Sequence, residues 1–380
     1  MASHASAKTV EPVVEDKDAA DECPAWIPYD QRPDWADVMA VPQDDGPHNV
    51  VRIDYTPEFS STMDYFRGIM ARGEKSMRAL AITAEASRLN PGNYVAWWYR
   101  RQCLLALGCD FQEELEWMRP QLMACPKNYQ MWFHRRELII HDPNRDIVQE
   151  KALIDAALDD DSKNYHSWCH RRWLVQTYGA YDGELDWVAD MLQIDVRNNS
   201  AWNYRYFLMD CHILKVLEGE ERTQVLHREF QWAMQAIEAA PNNESPHNYL
   251  FGLSSLLLDA ALILYLKNLI KAMVDLGTAQ PNCVFARTTL FQCLDKLGSI
   301  AETTTGLDSA TVQWLGSKVE NYQHAVAVAK ELQTMDRIRK KYWWYQQRRL
   351  EQELQESGSA DVLVEPPECV SGATKSSVSA

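Results

Sequence analysis

Basic residues are outnumbered in this chain. Its 380 residues include 38 Lys and Arg against 54 Asp and Glu, a formal charge of −16. A protein that neutralises nucleic-acid phosphates needs the opposite surplus, so that class is disfavoured. The acidity is concentrated at the ends: residues 1–45 contribute −8 and residues 351–380 contribute −5, leaving −3 for the 305 residues between. Glycine and proline are few, 15 and 16, which argues against a β-rich fold built on many tight turns. Long apolar runs are missing too. The most apolar stretch, 251–269, is broken by Asp259 and Lys267, so no membrane span is expected. Residues 1–21 are polar and acidic and lack the apolar stretch of a signal peptide. Nine cysteines form no Cys-x-x-Cys spacing; the expectation is reduced thiols and a soluble, cytoplasmic chain. No metal site is expected on it. A zinc thiolate site needs three protein ligands, whereas Cys103 and Cys109 are six apart and Cys211 and His212 are adjacent.

Tryptophan, by contrast, is abundant at 14 residues, and its placement is periodic. Asn93-Tyr94-Val95-Ala96-Trp97-Trp98-Tyr99-Arg100-Arg101 aligns with Asn128-Tyr129-Gln130-Met131-Trp132-Phe133-His134-Arg135-Arg136. Asn164-Tyr165-His166-Ser167-Trp168-Cys169-His170-Arg171-Arg172 and Asn198-Asn199-Ser200-Ala201-Trp202-Asn203-Tyr204-Arg205-Tyr206 continue the series. A weaker fifth copy begins at Asn243 and has His247 in the tryptophan place. The aligned positions 97, 132, 168, 202 and 247 step by 35, 36, 34 and 45.

A period near 35 residues is the length of helix, turn, helix and turn. A single pair cannot bury its apolar stripe, so the pairs must stack into a solenoid. The pattern predicts an all-α, right-handed α-α superhelix of about seven helical hairpins. Its repeats fall near 93–126, 128–162, 164–197, 198–240 and 243–277, within a domain of 32–350. Composition assigns 1–31 to a disordered acidic tail and 357–380 to a second one. The prolines and Gly46 of the segment 32–47 predict extended chain and turns. A last helical stretch runs from about Ser317 to Gln355, with Thr334 marking the place for a break. Asn at the head of each copy suits an N-cap, and Trp97, Trp132, Trp168 and Trp202 suit the core. The arginine pairs Arg100-Arg101, Arg135-Arg136 and Arg171-Arg172 are expected to meet acids of neighbouring helices or of a partner rather than phosphate.

The signature Asn-Tyr-x-x-Trp followed by Arg-Arg resembles the repeat of protein prenyltransferase α subunits. The resemblance is strongest in Pro126-Lys127-Asn128-Tyr129-Gln130-Met131-Trp132 and Lys163-Asn164-Tyr165-His166-Ser167-Trp168. It extends to Val41–Pro47, to Met63-Asp64-Tyr65-Phe66-Arg67 and to Ile338-Arg339-Lys340-Lys341-Tyr342-Trp343, covering roughly 32–350. The segment before the helices looks like the α subunit shared by farnesyltransferase and type I geranylgeranyltransferase. Where the family often has His after the repeat Trp, this chain has Trp98, Phe133, Cys169 and Asn203.

The resemblance implies transfer of a farnesyl or geranylgeranyl group from its diphosphate to the thiol of a Cys-a-a-X tail, as on small GTPases. It implies an obligate β subunit that holds the zinc and the isoprenoid pocket, with magnesium beside the diphosphate and little activity in this chain alone. The residue matching the family's diphosphate-contacting lysine is Lys127, the expected catalytic group. Tyr129, Asn164, Tyr165 and His166 match positions lining the same site, and Gln130 matches one that contacts the target's terminal carboxylate. Lys163 and Tyr94 are further candidates at equivalent turns. Two alternatives stay open: a non-catalytic helical-repeat scaffold, and the α subunit of the enzyme that modifies vesicle-traffic GTPases.

Overall fold

A computed structural model describes residues 26–48, 50–301, 313 and 315–357; the tail segments 1–25 and 358–380 lie outside these described residues. The described residues hold fifteen α-helices of ten residues or more, one three-residue α-turn at Leu214–Val216, and no strand. The chain divides into two compact units, Met1–Arg145 and Asp146–Ala380.

The first unit contains α1 (Pro57–Ala71), α2 (Met77–Leu89), α3 (Tyr94–Leu107), α4 (Phe111–Ala124) and α5 (Tyr129–His141). The second contains α6 (Ile147–Asp160), α7 (Tyr165–Tyr178), α8 (Glu184–Ile194) and α9 (Asn199–Leu208). A π-helical turn, Met209–Ile213, follows α9. Next come α10 (Gly219–Ala239), α11 (Glu244–Leu253), α12 (Asp259–Ala279), α13 (Val284–Ile300), α14 (Lys318–Met335) and α15 (Lys340–Glu356). In chain order these make seven pairs and a final helix. The long fourth step of 45 residues is explained by the π turn and by α10, which runs for 21 residues.

Before α1, the chain is more ordered than its composition suggests. Trp26 to Gln31, assigned to the acidic tail, are packed against the first unit. Tyr29 is buried, lies 5.4 Å from the Tyr65 ring and meets Trp35 edge-on at 4.6 Å. Trp26 Nε1 and Tyr29 Oη donate to the two oxygens of Glu85 at 3.1 and 2.5 Å. Two aromatic side chains bonded to one carboxylate, with Tyr29 packed on two further rings, outweigh the local acidity, so the ordered region begins earlier than residue 32. Further on, Val41 N–H donates to Asp64 O at 3.0 Å. A Cβ on Gly68 would run into the backbone oxygen of Met39, so only glycine allows this segment to lie on α1.

One local device recurs at every repeat head. The Oδ1 atoms of Asn93, Asn128, Asn164 and Asn198 each accept two first-turn N–H groups, and Asn243 accepts one. Four residues later the indole Nε1 of Trp97, Trp132, Trp168 and Trp202 donates back to the carbonyl six residues upstream. The acceptors are Pro91, Pro126, Ser162 and Val196, at 2.8 to 3.0 Å. His247 makes the same bond from Nε2 to Pro241 O at 3.2 Å, so the fifth copy keeps the contact with a smaller ring. In the second unit the carbonyl also takes a bond from the next repeat's cap residue. Asn198 Nδ2 reaches Ser162 O (2.9 Å), Asn243 Nδ2 reaches Val196 O (2.7 Å), and Cys283 Sγ reaches Pro241 O (3.2 Å). Cys283 therefore heads a sixth copy, hidden in the sequence because Asn and Trp have become Cys283 and Arg287.

The arginines three residues past each Trp meet glutamates on the following helix. Arg100 grips Glu114 through Nε and Nη2 at 2.6 and 2.5 Å. Arg171 grips Glu184 at 2.8 Å twice, and Arg205 grips Glu229 at 2.8 and 2.6 Å. The guanidinium in each case lies over a tryptophan one turn beyond the glutamate: Trp117, Trp187 and Trp232, at 3.4 to 4.0 Å. Each glutamate then bonds the next repeat, through His134 (2.9 Å), Tyr204 (2.5 Å) and Tyr249 (2.6 Å). All three carboxylates are buried, so the fully partnered geometry is what makes them tolerable. Successive repeats are thus joined by a buried polar staple as well as by apolar contact.

The last helical stretch is two helices. Asp336 ends α14 and accepts from Arg339 Nε (2.5 Å) and Trp343 Nε1 (2.9 Å), which starts α15 in a new direction near the expected break.

Candidate functional site

Helix heads place the candidate residues. In the first unit Lys127 is exposed in the turn before α5, directly ahead of the cap Asn128. Lys127 therefore stands in the chain at the end of α5 where first-turn N–H groups and positive potential point outward. Tyr129 begins the helix and is 62 % exposed, while Gln130 is buried and gives its N–H to the cap at 2.9 Å. Tyr94 holds the same place on α3 and is also exposed.

In the second unit, Lys163, Asn164, Tyr165 and His166 form the matching head of α7. Lys163 Nζ pairs with Asp195 Oδ2 at 3.1 Å, and this hydrogen bond holds the Asp195 carboxyl below its ordinary range. Asn164 is buried and its Oδ1 serves the cap. Tyr165 is exposed, and Cys169 one turn on raises its phenol's pKa. His166 is half-buried and meets the Tyr165 ring edge-on at 5.6 Å; burial pushes its imidazole pKa down and favours the neutral ring.

The helix register carries the exposed surface further than the named residues. Tyr94, Trp98 and Leu105 share one face of α3, and Tyr129, Phe133 and Ile140 share the matching face of α5; all six are exposed. Side chains four apart lie one above the other on a helix, so each first helix presents an aromatic strip whose Trp sits inward. Apolar strips of this kind are where proteins meet partners or apolar ligands. On α9 and α11 of the second unit the matching positions turn polar, and Asn199, Asn203 and Asn248 line, with Tyr206, a cavity of about 200 Å³ between these two helices.

Sequence reasoning treated Trp98, Phe133, Cys169 and Asn203 as departures from a histidine; the structure makes them the outward neighbours of the buried Trp. It missed Glu114, Glu184 and Glu229, although a Glu-x-x-Trp spacing ending at Trp117, Trp187 and Trp232 marks each of them. Among the described residues no group of three or more His, Cys, Asp or Glu could hold a metal ion, and no helix is long and apolar enough to cross a membrane.

Residues 76–107, 111–142, 147–178 and 181–212 match the protein prenyltransferase alpha subunit repeat. Each match couples the second helix of one pair to the first helix of the next, the same unit that the Glu staple joins. The fold and these heads define an α-subunit-type helical-repeat protein of the prenyltransferases. A farnesyltransferase/geranylgeranyltransferase type-1 subunit alpha from Solanum lycopersicum is 38% identical over 338 residues, covering 89% of this chain and 95% of the relative. One from Pisum sativum is 36% identical over 86% of this chain and 96% of the relative. The chain belongs to the family of protein farnesyltransferase/geranylgeranyltransferase type-1 α subunits. A solved Candida albicans protein geranylgeranyltransferase-I, complexed with GGPP, shares the fold with a TM-score of 0.68 at 24% identity, over 84% of this chain and all of that one.

Proposed function

We infer that this chain is the α half of a two-subunit protein prenyltransferase. Its substrates are an isoprenoid diphosphate and proteins ending in Cys-a-a-X. In the reaction the cysteine thiol loses its proton to solvent and the sulfur bonds to C1 of the isoprenoid, while the C1–O bond to the diphosphate breaks and the leaving group carries away that electron pair. The observation that carries the reading is Lys127 at the head of α5, beside the exposed Tyr129. An ammonium at a helix N-terminus is suited to negative charge as it gathers on the departing diphosphate.

The rest of the assignment follows the same heads. Tyr129, Tyr165 and His166 line the reacting groups, Asn164 keeps its turn in place, and Gln130 meets the target's terminal carboxylate. Lys163 supports the anion at one remove, because Asp195 already holds it; Tyr94 extends the aromatic wall. The described residues do not fit a zinc site, so zinc would sit on the β subunit, where bound metal lowers a thiol's pKa. Magnesium would accompany the diphosphate. The exposed strips of α3 and α5 are the surface for the β subunit, and the site of action is the cytoplasm.

The test uses the complex that co-purifies with the tagged chain. Prenyl transfer to a Cys-a-a-X peptide is expected in the complex and absent from the chain alone. Lys127→Ala should lower the single-turnover rate on the order of 10²- to 10³-fold while leaving isoprenoid binding and assembly intact. Full turnover in that variant removes Lys127 from the chemistry.

A further inference from the structure

One stretch of the second unit carries charge of the opposite sign to the chain as a whole. Residues 337–349, from the corner after α14 into α15, hold six bases, four aromatic residues and no acid, in a chain whose formal charge is −16. Two of the bases are already held: Arg339 by Asp336 (2.5 Å) and Glu244 (3.3 Å), and Arg349 by Asp295 (2.6 Å). Arg348 Nη1 lies 3.3 Å from Glu351 Oε2, and Lys330 Nζ lies 3.9 Å from the other oxygen of that carboxylate. Arg337, Lys340 and Lys341 are exposed, and no described acid lies within ion-pair distance of them. The remaining carboxylates of α15 sit further along it, Glu353 paired with Lys318 at 3.5 Å and Glu356 in the last turn. Positive charge is therefore left over at this end of the helix.

Helix register sorts the side chains. Trp343, Leu350 and Leu354 are buried and set the inward face of α15. Lys341, Trp344, Tyr345 and Arg348, spaced i, i+3, i+4 and i+7, fall on the opposite face, with Lys340 one turn before Trp344. Tyr342, Trp344 and Tyr345 stay 49, 53 and 58 % exposed, and the Arg348 guanidinium carbon lies 5.8 Å from the centre of the Trp344 ring. At the corner leading into the helix Ile338 is 98 % exposed, an aliphatic side chain with no socket around it. Bases, amphipathic rings and a bare apolar tip thus share one end of α15.

That combination matches the surface of an anionic bilayer. Lys and Arg are drawn to acidic headgroups, Trp and Tyr rings settle at headgroup level with their polar edges wet, and an aliphatic tip enters the boundary with the acyl chains. Other partners fit less well. A peptide is recognised in a groove or along a sheet edge, whereas Ile338 protrudes. Nucleic acid calls for a wide basic surface, and residues 46–350 sum to −3. The core of an obligate protein interface is depleted of charge, unlike this face with its unpaired lysines.

We propose that this face of α15, together with the Arg337–Ile338 corner, is a docking surface for membranes that carry anionic lipid. The contact is peripheral and reversible: the bases supply attraction that salt screens, while the rings and Ile338 supply shallow insertion. The proposal does not depend on prenyl transfer.

Vesicle co-sedimentation tests it with the full-length chain, alone and in the complex with which it co-purifies. The vesicles are phosphatidylcholine alone and an equimolar mixture with phosphatidylserine. Both forms of the protein should bind the anionic vesicles about tenfold more strongly than the neutral ones at low salt, and release them at high salt. Each base near an anionic surface is worth about fivefold in partition, so Lys340→Gln with Lys341→Gln should weaken binding about tenfold or more. Lys215→Gln with Arg228→Gln removes the same charge from exposed sites elsewhere in the unit and should change binding by less than about twofold. Ile338→Ser, which leaves the charge alone, should weaken it several-fold. Equal binding to the two vesicle types, equal losses in the two double variants, or an unchanged Ile338→Ser overturns the proposal. Binding by the lone chain but not by the complex also overturns it, and assigns the face to the associated subunit. Capture of polyglutamate but not of vesicles, lost in Lys340→Gln with Lys341→Gln, overturns it in favour of an acidic protein segment.

Discussion

Glu184 offers the most direct test of how the repeats hold together. Its carboxylate is 2 % exposed and accepts Arg171 Nε and Nη2 at 2.8 Å, Tyr204 Oη at 2.5 Å and Lys151 Nζ at 2.9 Å. Glu184→Ala removes the acceptor and leaves a buried guanidinium. Breaking one partner of a buried pair costs about 3–5 kcal/mol. Arg171 keeps Asp155, 2.6 Å from Nη1 and partly exposed, which moves the estimate toward the lower end. Tyr204 loses a partner as well, but costs within one network do not add. A loss of about 3–4 kcal/mol is expected. With a slope near 3 kcal/mol per molar urea, the unfolding midpoint falls by about 1 M. Tryptophan fluorescence reports it locally, since Trp187 lies 3.4 Å from the Arg171 guanidinium.

The control is Arg171→Met with Glu184→Leu, which removes both charges and should recover most of the loss. Burial alone would raise the Glu184 pKa, but Arg171, Tyr204 and Lys151 together more than offset it and the carboxyl titrates below its ordinary range. Its stabilisation is therefore present above that ordinary range, near pH 4, and disappears as pH falls through the lower folded value, so the gap between wild type and Glu184→Ala narrows in acid. The reasoning is refuted if Glu184→Ala moves the midpoint by less than about 0.3 M, or if the double variant is no better than the single one.

Two further outcomes are expected. Burial pushes the His247 imidazole down to about 4, against about 6.5 in an unfolded chain. The unfolded state takes up a proton first, so stability is full above about pH 6.5 and erodes by about 3 kcal/mol as pH falls to 4. His247→Gln, which keeps a donor for Pro241 O, should lose that share of the acid sensitivity; identical slopes of unfolding midpoint against pH in the two proteins would contradict the assignment. Gly68→Ala pushes a Cβ against Met39 O and should cost about 1–3 kcal/mol. Limited proteolysis should then cut between residues 39 and 56 sooner than in wild type, and unchanged cleavage would mean that the close approach does not hold that segment.

The repeat architecture was legible because its cause is local and periodic. Asn at each head satisfies its own helix's first N–H groups, and the Trp four residues on returns to a carbonyl six residues upstream, so both act within a short stretch and leave a visible spacing. Lys127, Tyr129 and Lys163 stand at fixed offsets from those caps, so their places at the helix heads follow from the same spacing, whereas the roles expected of them come from the family resemblance. The sixth copy was hidden because Cys283 performs the cap residue's long-range bond without the cap residue's identity. Composition also misjudged Trp26 to Gln31, since local acidity says nothing of Tyr65 and Glu85, which meet those residues only once α1 and α2 have packed.

By itself, then, the sequence determined the helical repeat, the caps, the inward tryptophans and the family, all of which depend on residues within one turn or one period of each other. Tertiary structure alone decided which acid each arginine meets and which side chain of the next repeat each of those glutamates holds. Those outcomes depend on groups 13 or more residues apart in the chain, whose distances exist only after the helices have stacked.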